Sequence, residues 1–134
     1  MKTVLFVCVH NSGRSQMAEA FFKRLAAGRA EAVSAGTEPA DSVDPAVVTV
    51  MREAGIDLSR QRPMALSQEL VDRSERVISM GCGVEESCPV TVAITEDWGL
   101  ADPKGESLDR VREVRDEIRA RVVDLVETMT SEAA

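Results

Sequence analysis

The chain has 134 residues, with 16 Lys and Arg against 23 Asp and Glu for a formal charge of -7; 44% of it is hydrophobic, with three Cys, three Phe, one Trp and no Tyr. A chain of this length makes one compact domain, residues 1–134, that buries roughly two-thirds of its unfolded surface, which excludes a disulfide scaffold and a disordered segment. The acidic balance and the missing aromatic platform argue against a nucleic-acid partner, and the longest apolar run, Val4 to Val9, is far short of the ~20 residues that span a bilayer.

The first apolar run, Thr3 to Cys8, reads as a buried strand, Ser15 to Ala27 as a helix, and Ala30 to Ala35 as a second strand closed by Gly36. Asp44-Pro45 is an N-cap followed by a favoured first helical residue, and the helix it opens runs to Ala54 before Gly55. Ser67 to Arg73 reads as a short helix, Arg76 to Met80 as a third strand and Val90 to Ile94 as a fourth. Ser107 opens the last helix, on which Leu108, Val111, Val114, Ile118, Val122, Leu125 and Met129 recur at helical spacing. Its opposite side mixes both charges, from Asp109 to Arg121, and reads as a solvated face with local ion pairs rather than a docking surface.

Strands alternating with helices predict an α/β fold: a single-domain, four-stranded parallel sheet flanked by helices, with ligands at the carboxyl ends of the strands. The N-terminal apolar run is too short for a usual secretory signal, so a cytoplasmic location with reduced thiols is expected. Cys8, Cys82 and Cys88 form no C-x-x-C pair and His10 is the only histidine. No zinc pattern results, and thiol chemistry is the better expectation.

That chemistry has a natural place. Val9, His10, Asn11, Ser12, Gly13, Arg14 and Ser15 lie where the first strand gives way to a helix, and their backbone N–H groups can curl around an oxyanion. Gly13 permits close backbone approach, and Arg14 can fork two donors onto two oxygens of a tetrahedral anion. The same field favours the thiolate of Cys8 over the thiol, and Ser15 can add a hydroxyl hydrogen bond to its sulfur. Cys8 is then a nucleophile aimed at the centre of the anion. A small core cysteine beside a surface arginine is the structural alternative, but a turn needs neither at these positions. His10 reads as a solvated or backbone-bonded loop residue, with tuning of the thiolate as its alternative. Asn11 either braces the loop through its amide or serves an ordinary turn.

The stretch Val7-Cys8-Val9-His10-Asn11-Ser12-Gly13-Arg14-Ser15-Gln16-Met17-Ala18-Glu19-Ala20 resembles the anion loop of arsenate reductases built on the low-molecular-weight protein tyrosine phosphatase fold. The likeness continues through Ser34-Ala35-Gly36-Thr37, Met80-Gly81-Cys82-Gly83, Cys88-Pro89, Glu96-Asp97-Trp98-Gly99 and Asp102-Pro103. It implies reduction of arsenate to arsenite, in support of arsenic detoxification, with no tightly bound cofactor and a monomeric chain. The implied order is attack of Cys8 on arsenate, attack of Cys82 on the Cys8 sulfur as arsenite leaves, and attack of Cys88 on Cys82. Thioredoxin would reopen the Cys82–Cys88 disulfide by thiol–disulfide exchange.

A regular helix over residues 82–88 would hold those two alpha-carbons ~9 Å apart, beyond the ~4.4–6.8 Å of a disulfide, so the segment must loop as it oxidises. The best-known thioredoxin-coupled members have one more residue between these cysteines, and related enzymes with a similar Gly-Cys-Gly and Cys-Pro segment draw on a low-molecular-weight thiol such as mycothiol. Asp102, after the fourth strand, could protonate the oxygen that leaves arsenic. The phosphatases usually follow this Asp-Pro with an aromatic residue that contacts the substrate ring; Lys104 and Gly105 stand there. Trp98 reads as a packing residue, with a lid role as the alternative. Asn11, Glu19 and Ser34 match positions that in some relatives hold a structural potassium ion, a partial match. The rival readings are a low-molecular-weight phosphatase that hydrolyses a phosphocysteine and a non-catalytic oxyanion or redox sensor.

Overall fold

The computed structural model describes residues 1–81 and 96–132. Cys82, Cys88 and the strand predicted over residues 90–94 lie outside the described residues.

All six residues of β1 (Thr3–Cys8) are buried, as a strand covered on both faces requires. It pairs in parallel with β2 (Glu31–Gly36) on one side and β3 (Arg76–Ser79) on the other, and β3 pairs in parallel with the short β4 (Glu96–Asp97), giving the order β2-β1-β3-β4. Successive side chains of a strand point to opposite faces. Val4, Phe6 and Cys8 therefore enter the larger core with α1 (Arg14–Ala26), α2 (Pro45–Glu53) and α4 (Leu108–Glu132). Leu5 and Val7 enter a smaller one with Leu66, Val77 and Val71, the last on α3 (Gln68–Asp72). The expected α/β architecture, a four-stranded parallel sheet flanked by helices, is the one observed.

The helices start where the sequence says they should. Asp44 caps α2 by accepting from the Ala46 N–H at 2.9 Å with Pro45 in the first helical position, and Ser67 caps α3 by accepting from the Leu70 N–H at 3.3 Å. Val111, Val114, Ile118, Val122, Leu125 and Met129 of α4 are all buried, as the periodicity predicts. Leu108 departs from the prediction at 42% exposed, while Val126 is buried; the drift of a straight helix against a strict repeat widens the buried stripe. Trp98 packs against Phe6 with ring centroids 5.6 Å apart and is part of the core. Among the described residues no helix is long and apolar enough to cross a membrane.

The mixed-charge side of α4 carries local ion pairs, including Arg110 with Glu113 and Arg112 with Asp109. Two of its arginines also reach α2: Arg112 and Arg115 both bond Glu53, at 2.9 Å each. The hydrogen bond from Arg112 is the main reason the Glu53 carboxyl is held down at about 2, from an ordinary 4.5. A carboxylate whose pKa is depressed on folding stabilises the protein above its unfolded pKa and loses that contribution as pH falls through the folded one. Glu53→Gln is therefore expected to lower Tm slightly at pH 7, with the gap to wild type closing between about pH 4.5 and 2 and shrinking in high salt. Thermal melts across that range check it, and a gap that persists at pH 2 would assign the effect to packing instead.

Candidate active site

The four parallel strands deliver their carboxyl ends to one edge of the sheet, where open α/β sheets bind ligands. Cys8 ends β1 in register with Gly36, which ends β2. Beyond β3 lies Met80, and beyond β4 the chain passes through Trp98 to Leu100 and Asp102. A small pocket opens there, lined by Cys8, His10, Ser12, Gly13 and Arg14 of the first loop, Asp44 of the second, and Asp102, Pro103 and Lys104.

The loop takes its shape from where its carbonyls go. Those of Cys8, Val9, His10 and Ser12 accept from the N–H groups of Thr37, Glu38, Ala40 and Asp44, at 3.3, 2.8, 3.0 and 2.9 Å. The Asn11 carbonyl accepts from Gln16 Nε2 at 3.1 Å, and that of Gly13 from the Met17 N–H at 3.0 Å in the first turn of α1. In a planar trans peptide the C=O of one residue opposes the N–H of the next. With the carbonyls bonded away from the sulfur, the N–H groups that follow them turn inward. The Asn11 N–H, 3.2 Å from Cys8 Sγ, shows the result directly. Gly13 is the N-cap of α1 and brings no side chain to cap it, so the positive end of the helix faces the same space.

Asn11 holds this arrangement from beneath. It is fully buried at φ 50°, a left-handed conformation that asparagine tolerates. A backbone N–H can only donate, and that of Met64 reaches Asn11 Oδ1 at 2.8 Å, which settles the orientation of the amide. Nδ2 then faces Ser15 Oγ at 2.7 Å and Ser34 Oγ at 3.0 Å and spends a hydrogen on each. Ser15 Oγ also lies 2.8 Å from Cys8 Sγ, a hydrogen bond in which either group can donate, while Ser34 donates to Glu19. The Ser15 hydroxyl and the Asn11 N–H thus converge on the sulfur, which lines the pocket.

Arg14 is 7% exposed and its Nη1 donates to two backbone carbonyls, Met80 and Leu100, at 2.9 Å each. With both Nη1 hydrogens so engaged, the Nη2 edge is turned to the pocket, where Asp102 Oδ2 stands 3.8 Å away. The Asp102 side chain is 57% exposed and its Oδ1 accepts from the Lys104 N–H at 3.0 Å.

Of the seven loop residues picked out by sequence, His10, Ser12, Gly13 and Arg14 line the pocket, and Val9, Asn11 and Ser15 act behind it through backbone or side chain. His10 is backbone-bonded: Nδ1 lies 3.0 Å from the Glu38 carbonyl, which can only accept, so Nδ1 carries the hydrogen. Cys82 and Cys88 are outside the described residues.

Asn11, Glu19 and Ser34, the positions matched to a structural potassium ion, share one hydrogen-bonded cluster. The Glu19 oxygens receive Ser34 and the Lys23 ammonium, the latter at 2.6 Å, and Asn11 Oδ1 receives Met64 and Gln16. Sequence reasoning gave no role to Gln16, to the 37–44 segment or to the carbonyls of Met80 and Leu100, because nothing local says which atoms they will meet. Gly36 is a further case: a Cβ there would stand 2.5 Å from the Val9 carbonyl oxygen and 2.9 Å from the Asn11 nitrogen. Its place in the Ser34-Ala35-Gly36-Thr37 stretch, at the end of a strand, is the signal that could have marked it.

Residues 3–134 match the low molecular weight phosphotyrosine protein phosphatase family. The chain belongs to that family. This family member is 44% identical over 128 residues to the glutaredoxin arsenate reductase of Synechocystis sp., covering 94% of this chain and 97% of the relative. It is also similar to a solved arsenate reductase in the phosphate-binding state, at 43% identity and a TM-score of 0.83 over 96% of this chain and 98% of the other. The arginine phosphatase of Geobacillus stearothermophilus has the same fold at 27% identity and a TM-score of 0.81, over 98% of this chain and 95% of that one.

Two substitutions probe how this phosphatase-family loop is built. Asn11→Ala is expected to cost about 3 kcal/mol or more in urea unfolding, combining ~1–2 kcal/mol for the left-handed backbone with buried donors left unpaired at ~1–3 kcal/mol each; Asn11→Gly should recover only the backbone share. Gly36→Ala should open the loop, so that inorganic phosphate no longer slows alkylation at Cys8, mapped by mass spectrometry. Wild-type protection by phosphate in the alanine variant would show that the crossing at Gly36 does not shape the loop.

Proposed function

We propose that the protein is an arsenate reductase in which the loop over residues 9–15 receives arsenate, Cys8 is the nucleophile, Arg14 clamps the oxyanion and Asp102 is the general acid. The observation that carries this reading is the Cys8 sulfur hydrogen-bonded to the Ser15 hydroxyl and the Asn11 N–H, in a loop whose carbonyls from Cys8 to Ser12 are bonded to the 37–44 segment and Gln16. The names of the Synechocystis relative and of the phosphate-bound structure support arsenate as the anion.

In this reading the Cys8 thiolate attacks arsenic and an arsenate oxygen leaves with a proton from Asp102. Cys82 then attacks the Cys8 sulfur. The Cys8–Cys82 disulfide forms, the electron pair of the sulfur–arsenic bond stays on arsenic, and As(V) leaves as As(III) in arsenite. Cys88 attacks Cys82 and frees Cys8, so two thiols supply the two electrons. Thioredoxin reopens the Cys82–Cys88 disulfide; the name of the Synechocystis relative makes glutaredoxin the alternative donor, alongside a low-molecular-weight thiol such as mycothiol. The activity would serve arsenic detoxification in the cytoplasm.

The arginine phosphatase of the same fold favours a second reading, hydrolysis of a phosphorylated Cys8 with no use for Cys82. The two separate on one variant. Cys82→Ser is expected to abolish thiol-linked arsenate turnover while leaving hydrolysis of an aryl phosphate in place, and Cys8→Ser should abolish both. Arsenate reduction at the wild-type rate by Cys82→Ser would overturn the relay. Asp102→Asn should lower the rate of the first step about a hundredfold or more, read in single turnover with the reduced protein.

A further inference from the structure

Arg14 is useful to an anion only while its guanidinium keeps one edge in the pocket, and what keeps it there is a pair of backbone carbonyls from two different loops. Met80 follows β3 and Leu100 follows β4, so the two acceptors for Nη1 are set by how closely those loops approach each other. They meet at two glycines. Gly81, at φ 85°, lies so near the other loop that a Cβ on it would stand 2.8 Å from the Gly99 alpha-carbon and 3.0 Å from both the Gly99 carbonyl carbon and the Leu100 nitrogen. All three are backbone atoms, which have no rotamer with which to give way. Gly81 is adjacent to Met80 and Gly99 adjacent to Leu100, so any separation forced at the crossing is passed within one residue to both carbonyls that hold the guanidinium.

We propose that the crossing of Gly81 over Gly99 is the positioning device for Arg14, and that Gly81 is a positioning residue for oxyanion capture. Its backbone contact sets the spacing of the Met80 and Leu100 carbonyls. These spend both hydrogens of Nη1 and leave the Nη2 edge of a buried, immobilised guanidinium facing the pocket. A guanidinium held in advance gives up less side-chain freedom when the anion arrives. The inference rests on the reading of the Cys8 loop as an oxyanion site and needs no part of the thiol relay.

The test measures inorganic phosphate binding to the reduced full-length protein by calorimetry, in a double-mutant cycle with Arg14→Gln. Gly81→Ala is expected to weaken phosphate binding about tenfold or more, the scale of a misaligned charge-assisted contact, and to add nothing further in the Arg14→Gln background. Gly28→Ala is the control for backbone strain: it has the same sign of φ, at 86°, with nothing within 4 Å of its Cβ, and should leave the affinity unchanged. Equal weakening by Gly81→Ala with and without Arg14, or no weakening at all, overturns the proposal. Wild-type protein that binds no phosphate overturns the oxyanion-site reading and the proposal with it. If Gly81→Ala does not fold, the carbonyl carbon resonances of Met80 and Leu100 decide: phosphate must shift both in the wild-type chain and neither in Arg14→Gln, and shifts that persist without Arg14 overturn the proposal.

Discussion

A peptide group cannot point its oxygen and its hydrogen the same way, and the site at the end of β1 follows from that constraint. The carbonyls from Cys8 to Ser12 are bonded to the 37–44 segment and to Gln16. Once they are taken, the inward direction of the succeeding N–H groups is no longer free to vary. As the proposed anion site, the loop therefore needs no cationic cluster. Its positive character comes from backbone dipoles and the uncapped end of α1, with one buried arginine added. A chain of net charge -7 can hold such a site because the dipoles act within a few ångströms, while the overall charge governs only the approach, which it should slow.

The same economy runs through the hydrogen bonds beneath the loop. A single unambiguous donor, the Met64 N–H, orients the Asn11 amide, and the orientation passes through Ser15 to the sulfur and through Ser34 to Glu19. Each group uses the capacity its neighbour leaves. No buried side-chain nitrogen or oxygen among the described residues lacks a partner, and a network so completely satisfied is rigid, because moving one member strands another in a place water does not reach. Rigidity suits the role proposed for Cys8, a nucleophile held in place before its substrate arrives.

Close backbone approach is the third element. Gly36 lets the loop cross the end of β2, and Gly81 lets two loops touch where Arg14 is held. The sheet brings strand ends together, but a side chain at either crossing would hold them apart. The shape of the loop depends on absent atoms as much as on the groups that line it.

Local order along the chain was legible without coordinates. Thr3 to Cys8 announced a buried strand by its unbroken hydrophobicity, Asp44-Pro45 and Ser67 announced helix starts, and the stripe from Val111 to Met129 announced the face of α4, because each signal lies within a few residues of its effect. The placement of Cys8, Arg14 and Ser15 around one pocketed loop between a strand and a helix was legible for the same reason. The sequence alone did not determine that Asn11 would be a hub, that Gln16 and residues 37–44 would claim the loop carbonyls, or that Arg14 would be held by Met80 and Leu100, 66 and 86 positions away. Those contacts join residues whose identities carry no trace of one another, since a backbone carbonyl is the same in every residue. Only the register of the sheet and the packing of the loops at its edge decided which of them would meet.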